Sequence, residues 1–154
     1  MQREDLMSWL SGPKSALKHQ GIDLGFPGER LGMPVEGSGS IASMGRRSLA
    51  LVVDWAIGLG VVNLVPTANV DTQSLLILEI FAVHVILATA ITGASIGQRL
   101  CGIGVRDING SKLNLVRIVV RTLLLCLVIP ALIWDRDQRG LHDKAVRSAV
   151  IRLS

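Results

Sequence analysis

Tyrosine is absent from this chain, and with two phenylalanines and three tryptophans the aromatic share is only 3%. A surface that stacks bases needs more aromatic side chains than that, so the net charge of +4 is poor support for a nucleic-acid partner. Cysteine is scarce too. Cys101 falls in a basic loop and Cys126 inside an apolar run, with no CxxC and no Cys/His metal spacing, which leaves them as small packing residues. No cofactor or metal is expected. Gly-Ile-Gly at 102–104 lacks the third glycine and following helix of a dinucleotide fingerprint, and Gly93 to Gln98 lacks the lysine of a P-loop. No nucleophile, base and orienting group stand at recognisable spacing, so an enzyme is not expected. No cleavable leader is expected either, since the first apolar block starts only at Ser48 and no small-residue cleavage site follows it.

What the chain has in quantity is apolar sequence gathered into blocks. Hydrophobic residues make up 49% and charged residues 18%, for a mean hydropathy of +0.48. Blocked rather than periodic apolar sequence of this kind points to an integral membrane protein. From Ser48 to Val65 the sole ionisable side chain is Asp54. A helix of that length covers about 27 Å, close to the hydrocarbon thickness of a bilayer. A second block, 75–92, contains Glu79 and His84. Between the two, residues 66–74 carry no lysine or arginine, whereas Arg46, Arg47, Arg99, Arg106 and Lys112 flank the pair. The positive-inside rule then puts the N-terminal arm in the cytoplasm, the 66–74 loop outside, and the second span running back inward.

The third block, 116–134, opens with Arg117 and Arg121 and is free of charge only from Thr122 to Trp134. That is too short to cross unaided, so it is expected as a membrane-embedded, re-entrant helix turning at Pro130, with the basic tail kept inside. The expected fold class is thus an all-α membrane protein, with two firm transmembrane helices at 48–65 and 75–92 and a third embedded helix at 116–134. Around these stand a cytoplasmic arm at 1–44, a glycine-rich segment at 93–115 with a small hairpin near Asn109 and Gly110, and a charged tail at 135–154. The arm reads as solvated, with Trp9 and Phe26 as its candidate anchors to a membrane or partner. The tail reads as salt-bridged within itself, ending in a short apolar strand or helix at 149–153.

An ionised carboxylate about two turns into a spanning helix costs on the order of 2.5–3.5 kcal/mol, so Asp54 should face a partner. The candidates are Arg47, Arg121 and a protonated His84. Asp54 and His84 sit at similar depth, ~9–12 Å from the cytoplasmic ends of two antiparallel helices. The expected intramembrane ion pair or relay therefore comprises Arg47, Asp54, Glu79, His84 and Arg121.

These residues carry a resemblance. Arg47, Ala50 and Asp54 at the start of the first block, then Gly93, Ser95, Gly97, Gln98, Arg99, Leu100, Gly102 and Val105, then Arg121, then Arg139, Gly140, Leu141, His142 and Asp143, together resemble the RDD family of small prokaryotic membrane proteins over residues 45–151. Gln98 stands where that family usually has lysine. The family is named for an arginine and two aspartates, matched here by Arg47, Asp54 and Asp143. The arm ending SGSIASMGRR is similar to the actinobacterial branch. The resemblance implies a multi-pass protein of the cytoplasmic membrane, in a family most of whose members have no assigned activity and a few of which have been proposed to exchange sodium or potassium for protons. Small-residue spacings such as Ala56 with Gly60 and Ala90 with Ala94 suit close helix packing. A structural or accessory subunit of a larger membrane assembly, a respiratory-chain complex among the conceivable hosts, is the leading expectation. A cation/proton antiporter acting as a homo-oligomer is the alternative. The expected partners are the lipid bilayer and other membrane subunits or further copies of the chain.

Overall fold

The computed structural model describes residues 25–66, 69–127, 133 and 137–154. Among the described residues, five helices and two strands follow in the order α1 (Met44–Val62), α2 (Val70–Thr92), α3 (Ile96–Leu100), β1 (Ile103–Asp107), α4 (Leu115–Cys126), α5 (Leu141–Ala145) and β2 (Ser148–Arg152). A 3-10 turn at Glu29–Leu31 precedes them.

The buried residues of α1 are Ala50, Asp54, Gly58 and Val62. Their four-residue spacing puts them on one helix face. At Gly58 that face meets α2 so closely that a Cβ would sit 3.3 Å from the Ile77 carbonyl oxygen. Trp55 stacks on Phe81 of α2 with ring centroids 5.1 Å apart, which fixes the pairing of the two helices. Helix α2 starts where the Asn69 side chain accepts from Thr72 N, and it stops at Gly93, whose φ of 79° is open to glycine at little cost. Immediately afterwards Ser95 and Gln98 form a reciprocal capping box that starts α3.

Sequence and structure part company over the segments outside the long helices. The turn expected near Asn109 and Gly110 forms, with Gly110 N donating to Asp107 O and Asp107 N to Ser111 O, but it does not continue into a local strand pair. β1 pairs instead with β2, antiparallel, with Val105 opposite Val150, and Ile41 of the arm bridges to Ile151. The fold is therefore mostly helical rather than all-α. Long-range pairing wins because Ile103, Val105, Ala149 and Val150 are each no more than 2% exposed, an apolar burial that a solvated hairpin would forgo. The arm is likewise not wholly solvated. Ala42 N donates to Val150 O, Gly39 N donates to Arg152 O, and Ser40 and Ala42 are buried. Trp9 lies outside the described residues. So do Pro130, the expected turn, and Trp134.

Helix boundaries move as well. The first block folds as Met44–Val62 rather than 48–65, because Arg46 and Arg47 join the helix to reach partners. The second folds as Val70–Thr92 rather than 75–92. The third gives a 12-residue α4 with Leu127 at its C-cap, not a helix that runs on unbroken to 134. One described helix, α2, is long and apolar enough to cross a membrane. The three charges Arg46, Arg47 and Asp54 keep α1 from qualifying on composition alone.

Candidate functional site

The structure gathers the polar residues into two buried nodes on one helix. Arg47 and Asp54 are seven residues apart, about two turns, and so project from the same side of α1.

The first node is Asp54, 3% exposed. Oδ2 accepts from Ser95 Oγ at 2.5 Å, while Oδ1 accepts from Gly97 N at 2.8 Å and lies 3.1 Å from His84 Nε2. The capping box aims Ser95, and the absence of a side chain at Gly97 lets α3 lie against α1, since a Cβ there would collide with the Ala50 carbonyl oxygen. His84 Nδ1 stands 3.2 Å from Ile80 O, so each ring nitrogen has an oxygen neighbour. One carboxylate thereby ties α1, α2 and α3 together.

The second node is Asp143 in α5, with 0% exposure. Arg121 Nε donates to Oδ1 at 2.7 Å, and Arg47 Nη2 donates to Oδ2. Arg47 also reaches Gln138 O through Nη1, and His142 Nε2 is 3.5 Å from Oδ2. Burial by itself would raise the Asp143 carboxyl, but Arg121, Arg47 and His142 outweigh it and hold the group well below the usual carboxylate range. This node ties α1, α4 and α5.

A third, more exposed pair braces the strands from outside. Arg117 Nη1 donates to Asp107 Oδ2 at 2.9 Å and Arg117 Nε to Val146 O at 2.9 Å. The Arg117 hydrogen bond, working against partial burial, lowers the Asp107 carboxyl.

Of the expected intramembrane set, the structure brings together Asp54 with His84, and places Arg47 and Arg121 on Asp143 rather than on Asp54. Glu79 is exposed and has no hydrogen bond or ion pair among the described residues. It lies five residues from His84, about 140° away around α2, and so points elsewhere. The reading of the tail as solvated is overturned at Asp143, His142 and Asp137, which are all buried, and Asp143 pairs beyond the tail as well as with His142. Alternating charge in the tail hides the fact that the cations holding Asp143 arrive from α1 and α4. The parts that sequence reasoning left without a role here are Ser95 and Gly97. The Ser95-x-x-Gln98 pattern was the available signal, since a capping box marks a helix start whose N–H groups need acceptors.

Beside the nodes lies a cavity of about 340 Å3. Arg47, Asp54, Ser95, Arg121 and His142 supply its polar wall, and Trp55, Phe81, Val85 and Leu125 much of its apolar wall. Among the described residues no group of three His, Cys, Asp or Glu side chains is arranged to hold a metal ion.

The scaffold is mostly helical, with one described helix long and apolar enough to cross a membrane and an arginine on α1 answering Asp143. The sequence matches the RDD family over residues 41–147, and the chain belongs to that family, a family of membrane proteins. No curated protein and no solved structure matches the chain.

Proposed function

We propose that this protein is a multi-pass component of the cytoplasmic membrane that works as a non-enzymatic structural or accessory subunit of a larger membrane assembly. The observation that carries this reading is that all three signature residues, Arg47, Asp54 and Asp143, are committed to internal bonds that hold helices together. Paired intramembrane charges of this kind specify packing and register. A relay through Glu79 is disfavoured, because Glu79 faces away from His84. Meanwhile α1, α2 and α4 keep Val52, Val83, Leu87, Ile91, Val116 and Leu123 exposed, which suits lipid or a partner's helices.

In this reading α1 and α2 cross as a hairpin with the N-terminus cytoplasmic. Hydrogen bonding among Ile41, β1 and β2 requires the arm, the 93–114 segment and the C-terminal end to share one side. Arg46, Arg99, Arg106, Lys112, Lys144 and Arg147 cluster in those segments, which supports the cytoplasmic side. Helix α4, about 18 Å long, is too short to cross and belongs to the same side as an embedded helix. The likeness of the arm to the actinobacterial branch is part of the same proposal.

The test is purification in mild detergent through a C-terminal tag, followed by native mass analysis. Recovery in fixed ratio with larger membrane proteins is the expected result. Recovery only as a self-contained oligomer would overturn it. The cavity beside Asp54 favours a second reading, cation/proton exchange by a homo-oligomer. That reading requires cation-dependent proton flux in reconstituted vesicles that Asp54→Asn abolishes.

A further inference from the structure

Arg121 uses one nitrogen of its guanidinium within the fold and turns the rest toward a cavity. The residue is 3% exposed, and its hydrogen bonding to described groups is confined to Nε, which donates to Asp143. Nη1 and Nη2 donate to nothing among the described residues, yet Arg121 lines the 340 Å3 cavity. Donors on a charged group that open only onto so enclosed a space favour a strong acceptor there. A guanidinium with two amino groups to spare offers a planar fork that matches the oxygens of a carboxylate or phosphate.

The remaining walls say what must be attached to those oxygens. Trp55, Phe81, Val85 and Leu125 line the same cavity with apolar surface. The volume falls within the roughly 300–1,000 Å3 typical of sites that enclose a small ligand through apolar contacts and a few fixed polar groups. Ser48 lines the cavity and is itself exposed, so the space reaches the surface there. A bare inorganic anion would leave the apolar wall unsatisfied, and an uncharged hydrocarbon would leave the fork empty. The anionic group on the same wall, Asp54, has both oxygens occupied by Ser95, Gly97 and His84, so it does not reach across to Arg121 in place of a ligand.

We infer that this cavity is a binding site for a single acyl chain bearing an anionic head, with the head's oxygens on Arg121 Nη1 and Nη2 and the chain along Trp55, Phe81 and Leu125. The site stands whether or not a partner subunit exists, because every wall comes from this chain. A free fatty acid and an anionic membrane lipid offer the same head chemistry.

The experiment uses the full chain in uncharged detergent, titrated with oleate or oleyl alcohol and analysed by native mass spectrometry. Oleate is expected to be retained as one molecule per chain, about tenfold or more tighter than oleyl alcohol, because only the acid engages the fork. Cys126→Phe places a ring in the cavity without touching Asp143, and is expected to abolish retention while helicity and elution volume hold. Arg121→Lys should weaken oleate about tenfold and leave oleyl alcohol unchanged. If that variant fails to fold, the cavity-filling variant still decides. A parallel titration compares phosphatidylglycerol with phosphatidylcholine. Preference for phosphatidylglycerol that Cys126→Phe removes identifies the source as a membrane lipid, and oleate binding without it identifies a free acid. Equal retention of oleate and oleyl alcohol, full retention by Cys126→Phe, or no retention of either anionic probe would overturn the inference.

Discussion

Asp143 is met by two guanidiniums, whereas Asp54 is met by a hydroxyl, a backbone N–H and an imidazole, although both carboxylates are almost sealed from water. The difference separates two jobs. At Asp143 removal of the acid strands buried cations, so the node is worth most through what its loss would leave behind. At Asp54 the partners are mostly neutral donors arranged by a short helix, so acceptor geometry matters more than charge. One node is an electrostatic staple for α1, α4 and α5, and the other is a hydrogen-bonded joint for α1, α2 and α3.

The largest effect that separates them should come from Asp143→Ala. With Arg121 left buried and Arg47 part-buried beside it, stability is expected to fall by about 3–5 kcal/mol. The readout is loss of a monodisperse peak in detergent or a steep drop in the thermal midpoint. A fall no greater than that of Asp54→Asn would erase the distinction. Next comes Gly97→Ala, whose methyl group is aimed at the Ala50 carbonyl oxygen. Overpacking at such a site costs about 1–3 kcal/mol. The same substitution at Gly60, a helical glycine of α1 with nothing within 4 Å, meets no such clash, so comparing the two thermal midpoints isolates the contact from the generic effect of adding a methyl.

Asp54→Asn should cost about 1 kcal/mol, since an amide oxygen still accepts from Gly97 N while the charge facing Ser95 and His84 is lost. A collapse comparable to Asp143→Ala would show that Asp54 is a staple too. The pH dependence sharpens the contrast. Because the folded Asp143 carboxyl lies below its ordinary value of about 3.9, its stabilising contribution is complete above about pH 4 and is lost as pH falls toward the folded value. Parent protein is therefore expected to lose stability below about pH 4, and Asp143→Asn to lose less over the same range, as measured by thermal midpoints in detergent. The smallest effect belongs to Asp107→Asn, where loss of the partly exposed Arg117 pair should cost about 0.5 kcal/mol.

Much of the Asp54 joint was legible in sequence. A lone carboxylate in an apolar run implies a partner, and depth counting along antiparallel helices brings His84 level with it. The staple was far less legible. Arg121 also matches Asp54 in depth by counting, but depth does not say which way a side chain faces around its helix. Nor does a tail of alternating charges reveal that Asp143 turns inward to cations 22 and 96 residues away.

The amino-acid order by itself determined the apolar blocks, the basic asymmetry of their flanks, the capping box at Ser95 and the RDD signature, because each depends on composition or on spacings within a few turns of chain. Tertiary structure alone decided the pairing of β1 with β2, the docking of residues 39–42 on that pair, and the choice of Arg47 and Arg121 by Asp143. Those choices depend on which distant surfaces can exclude water together. Burial sets the cost of leaving a charge unpaired, and no local spacing records where a segment will be buried.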